Sequence, residues 1–183
     1  SAIQACEMVD FPVHVVDTQQ VSWALGFPVL AGARARDAGQ SAEAVAETIR
    51  ETATRSHVLF IVESLDYLHR GGRIGGASRL LGTALNIKPV LELRDGVVNP
   101  VDKVRTRKRA TEHILTHIGQ IAGGRPIVRV GIIHGDVEDE ALAPRDAAVA
   151  RYSPSEIYVT FATAVLGVHV GPGALGIIAE WSA

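Results

Sequence analysis

Residues 71–76 form a glycine-rich stretch, Gly-Gly-Arg-Ile-Gly-Gly, that contains Arg73. Glycines allow positive φ angles and a close backbone approach, and exposed amides can hold an anion. The Arg73 guanidinium could add a bidentate contact to a carboxylate or a phosphate. The spacing matches neither a Walker loop nor a dinucleotide-binding fingerprint. We therefore predict an anion-binding loop, with a flexible turn and a surface arginine as the alternative.

A histidine stands in an apolar stretch near the end of the chain. His169 is followed, after one valine, by Gly171, Pro172 and Gly173, which predict a tight loop. An imidazole in apolar surroundings needs a hydrogen-bonding partner, and it could donate to a ligand carboxylate or carbonyl. The alternative is a core histidine whose ring nitrogens form hydrogen bonds with other groups of the protein.

Residues 103–109 are strongly basic in a chain whose net charge is −2, because five of these seven positions carry Lys or Arg. Several of them lie at or near the start of a predicted helix, where the helix dipole disfavours cations. This local cost indicates that the charge serves an acidic partner or a phosphate. Nucleic acid is an alternative, although no aromatic residue is interleaved for base stacking. A solvated charged surface is a third interpretation.

Other patterns point away from metal binding and catalysis. His113 and His117 have the i,i+4 spacing that zinc can use, but no Glu follows His113 and no third ligand is evident nearby. No serine stands in a G-x-S-x-G elbow, and the acidic residues at 136–140 suit a helix start. The residues alone therefore predict anion-binding potential without a metal site or a visible catalytic centre.

The elements that position these residues alternate between helix and strand. Apolar and β-branched runs predict strands at 11–17, 57–63, 87–93, 97–104, 127–134, 155–161 and 175–181. Helical periodicity and capping residues predict helices at 19–38, 41–54, 78–85, 106–122 and 137–150. Asp95-Gly96 between two strands predicts a hairpin. The resulting class is α/β, with a domain boundary near residue 56, where helix-dominated sequence gives way to strands.

Composition limits the class of protein. The 183 residues are 47% hydrophobic, which is enough for a core. The balance of 18 basic and 20 acidic residues argues against a chain-wide surface for nucleic acid or an anionic membrane. The single cysteine, Cys6, excludes a disulfide framework within one chain and fits the cytoplasm. No apolar run reaches the roughly 20 residues of a membrane-spanning helix.

Several motifs in order resemble the DegV family over nearly the whole chain. They are residues 65–74 for L-x-x-L-x-x-G-G-R-I, 81–90 for L-G-x-x-L-x-I-K-P, 103–106 for K-x-R-[ST] and 167–174 for G-x-H-x-G-P-G-A. The family's earlier T-S-x-P and S-G-T segments, whose hydroxyls contact the ligand, have no counterpart here. About the first hundred residues of the family pattern are therefore expected to be missing.

The resemblance implies a two-domain fold, with residues 1–56 as the remnant of an α/β first domain and residues 57–183 as a mixed-sheet second domain. It implies a cytoplasmic, bacterial fatty acid-binding protein of phospholipid metabolism. Such a protein holds a long-chain fatty acid between two domains and presents its carboxylate to a separate kinase subunit. It is not itself an enzyme and needs no cofactor. A nucleic-acid- or phosphate-binding regulatory module that uses residues 103–109 is the alternative.

The resemblance also assigns residues to these roles. His169 and Arg73 are expected at the carboxylate, and Gly72, Gly171 and Gly173 in the glycine loops that surround it. Arg105 and Arg107 are expected on the surface that docks the kinase. The apolar residues of 57–62, 80–91 and 159–178 are the candidates for the tunnel lining, with Ala162, Ala164 and Gly167 making room.

Overall fold

The computed structural model describes residues 1–82 and 87–183. Its six-stranded sheet has the order β3-β2-β1-β6-β4-β5. The strands are Ser56–Ile61 (β1), Lys88–Arg94 (β2), Val97–Val104 (β3), Ile127–His134 (β4), Glu156–Phe161 (β5) and Leu175–Trp181 (β6). Neighbouring strands are antiparallel, except that β4 and β5 are parallel. The predicted α/β class with a mixed sheet is confirmed.

Helices cover both faces of this sheet. They are Ala2–Cys6 (α1), Trp23–Asp37 (α2), Ala42–Thr54 (α3), Asp66–Arg70 (α4), Arg107–Ala122 (α5), Glu138–Tyr152 (α6) and Ala164–Val170 (α7), with a 3-10 helix at Gly75–Leu80. Side-chain caps begin α3 and α5, since the hydroxyls of Ser41 and Thr106 accept hydrogen bonds from the backbone amides of Ala44 and Arg109. The helix predicted at 78–85 is replaced by the 3-10 helix, and residues 83–86 lie outside the described residues.

The alternation of side chains along β1 creates two cores. Leu59 and Ile61 point to one face, where α5 and α6 contribute Ile114, Ile118 and Ala148. Val58 and its neighbours on the other face pack with residues of α2 and α4 and of the 3-10 helix. Because both faces are covered, residues 58–61 of the central strand β1 are apolar on both sides, as the run at 57–63 predicts.

The hairpin between β2 and β3 follows its predicted turn chemistry. Arg94 pairs with Val97, so Asp95 and Gly96 form a two-residue loop. Both have positive φ, 52° and 72°, which a type I′ turn requires. The local sequence of the turn therefore fixes the register between β2 and β3.

Helix α2 packs on the sheet that follows it in the chain. The Trp23 ring stacks on Tyr158, with ring centroids 4.2 Å apart, and Trp23 Nε1 donates to Thr160 Oγ1 at 3.0 Å. Arg34 makes a bidentate ion pair with Glu156 at 2.8 and 2.9 Å. Residues before and after 56 thus share one core, and the division into two domains stays a prediction.

Two further stretches differ from the sequence-based expectation. The predicted buried strand at 11–17 is irregular, and its Phe11 and Val13 side chains are 66% and 45% exposed. A β-branched pattern forms a strand when another strand pairs with it, and the described part of the chain places none beside these residues. Helix α7 was not predicted, because its Gly167 and three valines have weak helix propensity.

Candidate functional site

Several strand ends meet at one end of the sheet. Leu175 pairs with Ile61 at the end of β1 and with His134 at the end of β4, and His134 pairs with Phe161 at the end of β5. The segments that enter or leave the sheet here carry α4, α7 and residues 171–174. The glycine-rich stretch and the His169 stretch therefore lie together, at what we call the His169 end of the sheet.

A cavity of about 640 Å³ extends along the sheet face opposite α5 and α6. Its volume is within the usual range for small-molecule sites, and most of its lining is apolar. The lining residues are Gln19–Ser22, Val58, Phe60, Leu68, Gly72, Arg73, Gly75, Leu93, Gly96–Val98, Ile133–Gly135, Ala162, Val165, Leu166, His169, Val170 and Ala174–Gly176. This composition suits a long apolar ligand with a polar group.

The structure brings three of the predicted site residues into one cavity wall. Gly72, Arg73 and His169 all line the cavity. Arg73 is exposed and forms no ion pair within the described residues, so its guanidinium is available to an anion. The predicted anion-binding loop and the predicted ligand histidine therefore face the same space.

The α4 and α7 segments interlock through glycines. A Cβ atom at Gly71 would overlap Nδ1 of His169, and a Cβ atom at Gly171 would overlap the ring of Tyr67. Each segment thus leaves room for a side chain of the other. Gly171 and Gly173 do not line the cavity but shape the loop beside it, where both have positive φ.

The imidazole of His169 has hydrogen-bonding capacity that the protein leaves unused. Its Nδ1 is buried and has no partner in the part of the chain that the structure describes. Buried polar atoms nearly always have a partner, so exceptions mark strain, an ordered water or a ligand. Nδ1 of His169 is therefore not satisfied by any described residue, and a role of His169 at a ligand stays a prediction.

Predicted lining ranges contribute unequally. Residues 57–62 supply Val58 and Phe60, and residues 159–178 supply most of the α7 side of the cavity. None of the described residues of 80–91 lines it, and residues 83–86 lie outside the described residues. The lining prediction for 80–91 is therefore wrong where the structure describes that range, since β2 faces the cavity through Leu93 instead.

The two arginines predicted for partner docking have different surroundings. Nη2 of Arg107 donates to Glu63 Oε1 and to the Gly173 carbonyl, each at 2.5 Å, and its Nε lies 2.9 Å from Glu140 Oε2 in an ion pair. Arg105 is exposed and makes no ion pair with any described residue. Arg107 therefore holds the loop at Gly173 in place, while Arg105 is free to contact a partner.

Glu63 carries the charge that anchors this arrangement. Partial burial disfavours its charged form, but a hydrogen bond from Lys88 and the charge of Arg107 outweigh that effect. The pKa of Glu63 therefore lies below its ordinary value. The carboxylate stays ionised at neutral pH and stabilises the segment between β1 and α4.

The histidine pair on α5 is engaged in other contacts. His113 Nδ1 lies 3.0 Å from Asp102 Oδ2, and the His113 and His117 ring centroids are 6.1 Å apart. Among residues 1–82 and 87–183, no group of three or more His, Cys, Asp or Glu side chains is placed to hold a metal ion. Within the same ranges, no helix is long and apolar enough to cross a membrane.

Sequence inspection missed two stretches that line the cavity, residues 19–22 and 96–98. No motif marks these two stretches in the sequence, because their position beside the cavity follows from the tertiary structure. His134, the last residue of β4, is close to the cavity, but it pairs with Leu175 of the core beneath α5 and α6, and its neighbour Ile133 packs on the cavity side.

The model of the DegV family, described as uncharacterised, matches residues 1–181. A DegV domain-containing protein of Streptomyces coelicolor is 37% identical over 179 residues, which are 97% of this chain and 63% of that protein. Protein DegV of Bacillus subtilis is 34% identical over 179 residues, again 97% of this chain and 64% of that protein. The chain thus spans less than two thirds of the length of these relatives.

Solved structures have the same fold. A DegV family protein from Thermus thermophilus, described as fatty acid binding, superposes with a TM-score of 0.92 at 37% identity, covering 99% of this chain and 65% of that chain. DegV of Bacillus subtilis, described as a fatty acid binding protein, superposes with a TM-score of 0.84 at 33% identity, covering 99% and 65%. The resemblance noted from the motifs is confirmed.

Proposed function

Because this chain belongs to the DegV family, we propose that it binds a long-chain fatty acid in the cavity beside the sheet. The carrying observation is an apolar cavity with Arg73 and His169 in its wall. In the proposed complex, the carboxylate lies at the His169 end and the acyl chain extends over Phe60 and Val58 toward Leu93. The fatty acid-binding relatives from Thermus thermophilus and Bacillus subtilis support the same ligand class.

The physical basis is the division between an apolar chain and one charged group. Each buried methylene contributes about 0.8 kcal/mol, so a long acyl chain needs little beyond an apolar enclosure. The carboxylate needs compensation for its desolvation, which the Arg73 guanidinium and an imidazole N–H of His169 supply. Gly72 lets the backbone approach that group closely, while Gly171 and Gly173 shape the loop beside the cavity.

We further propose that the bound carboxylate is presented to a separate kinase subunit, which carries out phosphate transfer. Lys88 pairs with Val104, and Val90 pairs with Ile61, so β3 finishes at the His169 end of the sheet. Arg105 follows directly, exposed and unpaired among the described residues. A partner held by Arg105 would therefore face the end of the cavity that receives the carboxylate.

In this proposal the chain is a cytoplasmic lipid carrier without a catalytic centre or cofactor of its own. Residues 1–56 belong to a first domain and residues 57–183 to a second, and the ligand lies between the two. The exposed apolar residues of 11–17 support this division, because they are suited to pairing within a larger first domain.

The test is native mass spectrometry of the 183-residue chain, as purified and after incubation with a long-chain fatty acid. We expect one fatty acid per chain, released on denaturation and identified by extraction. Incubation with a short oligonucleotide tests the alternative that residues 103–109 bind nucleic acid. A chain that retains no fatty acid but binds the oligonucleotide with steep salt dependence would contradict the proposal.

A further inference from the structure

A second cavity, of about 520 Å³, lies at the opposite end of the sheet from His169. Ser56, the first residue of β1, and Arg94, the last residue of β2, both line it. Its lining is more polar than that of the first cavity and includes the charged residues Asp17 and Arg50. The proposed fatty acid cavity therefore has a polar neighbour at its far end.

The two cavities have three lining residues in common, Gln19, Gln20 and Leu93. These residues therefore form the partition between the two spaces. Leu93 is the apolar member of the partition. It is 7% exposed and belongs to the core on the cavity face of the sheet. A side chain that borders both spaces separates the apolar cavity from the polar one.

Strand pairing places Leu93 at the far end of the fatty acid cavity. Leu93 pairs with Val98 of β3, and both belong to the same core as Val58 of β1. Val58 lies three residues before Ile61, the residue that ends β1 at the His169 end. At the rise of a β-strand, that separation is about 10 Å. An acyl chain whose carboxylate is at the His169 end therefore runs along the sheet before it meets Leu93.

Residues 19–22 limit the same end of the cavity from the side opposite the sheet. A Cβ atom at Gly96 would lie 3.8 Å from Cβ of Gln19, so this segment passes beside the turn between β2 and β3. The next residue, Trp23, stacks on Tyr158 of β5. The segment therefore crosses the cavity face of the sheet from the hairpin to β5.

We propose that Leu93 sets the longest acyl chain that the fatty acid cavity accepts, because it closes this cavity against the polar one. This inference rests on the proposed function, since only a ligand that extends from the His169 end can reach the partition. Each methylene that enters the apolar cavity should raise the affinity about fourfold. The affinity should therefore increase with chain length until the chain meets Leu93, and then level off.

The experiment measures dissociation constants for saturated fatty acids of increasing length, by displacement of a fluorescent fatty acid from the 183-residue chain and its variants. Leu93→Ala removes three carbons from the partition and should move the length limit to longer chains. An acid two methylenes beyond the wild-type limit should bind this variant about tenfold more tightly than it binds the wild type. Leu93→Phe enlarges the partition and should move the limit to shorter chains.

The control variant is Leu91→Ala, in the same strand and the same core. Leu91 is fully buried and lines neither cavity, so its truncation should loosen the core without changing the length limit. An unchanged limit in the Leu93 variants, or an equal shift in Leu91→Ala, would overturn the inference and leave the proposed function in place. If Leu93→Ala does not fold, Leu93→Phe decides by the same criterion. A wild-type chain that binds no acid of any length would overturn the proposed function, and this inference with it.

Discussion

The imidazole of His169 occupies the space that a side chain at Gly71 would fill. The two residues belong to segments almost one hundred positions apart in the chain, yet each depends on the other's shape. Gly71 therefore does more than end α4, because it fixes the position of a cavity histidine. This close approach connects the glycine-rich stretch to the proposed carboxylate site.

Gly71→Ala should displace His169 and weaken fatty acid binding. The added Cβ would overlap the imidazole, and overpacking of this kind typically costs about 1–3 kcal/mol. The measurements are the urea midpoint and the fatty acid dissociation constant. Gly167→Ala is the matched control on α7, because nothing lies within 4 Å of the added methyl group. Equal changes of the urea midpoint and of the dissociation constant in the two variants would contradict the close packing of Gly71 against His169.

His169→Ala should weaken capture of the carboxylate and leave the fold intact. The lost hydrogen bond to a charged group predicts about tenfold weaker binding or more. Fatty acid retention after gel filtration and the far-ultraviolet circular dichroism spectrum measure the two effects. Retention equal to that of the wild type would remove His169 from the carboxylate site.

Arg105→Ala and Arg107→Ala should separate docking from stability. Arg105 is exposed and unpaired within the described ranges, so its loss should spare lipid binding and weaken association with the kinase subunit. Arg107→Ala should instead lower the free energy of unfolding by about 1.5–3 kcal/mol, because Glu63 and the Gly173 carbonyl lose their donor. Urea unfolding measures the stability of Arg107→Ala, and a pull-down with the kinase measures the association of Arg105→Ala. Loss of bound lipid in Arg105→Ala would refute the separation.

Stability should fall at low pH partly through Glu156. Hydrogen bonds from Arg34 and Tyr158 lower the pKa of its carboxyl from 4.5 to about 2 in the folded chain. The charged form stabilises the fold above pH 4.5, and that contribution is lost as pH falls through about 2. Glu156→Gln should flatten the pH dependence of the unfolding midpoint in this window. Glu51→Gln, an exposed glutamate on α3, is the control, and an equal change in both variants would contradict the assignment.

Ala162→Leu should reduce fatty acid binding by filling the cavity. Ala162 is buried and lines the cavity, so three added carbons take space that the acyl chain needs. Ala150→Leu makes the same change at an exposed position of α6 and should leave binding unchanged. Displacement of a fluorescent fatty acid compares the two. Undiminished affinity in Ala162→Leu would place the acyl chain elsewhere.

Local sequence was sufficient for most strands and for the hairpin. β4 and β6 have the predicted bounds, and Asp95-Gly96 forms the expected turn. Apolar runs and turn chemistry act over a few neighbouring residues, so they can be recognised without knowledge of the fold. The strand prediction at 11–17 was wrong because a strand also needs a second strand, from a distant part of the chain, to pair with it.

The motifs established the family and pointed to Arg73 and His169, but the arrangement of the cavity required the folded chain. Whether Arg107 is free depends on Glu63 and Glu140, which lie more than thirty positions away on either side. Which face of the sheet His134 takes depends on the register that pairs it with Leu175 of β6. Pairings over such separations follow from how the sheet assembles and from which face each side chain takes, and no short stretch of residues encodes them.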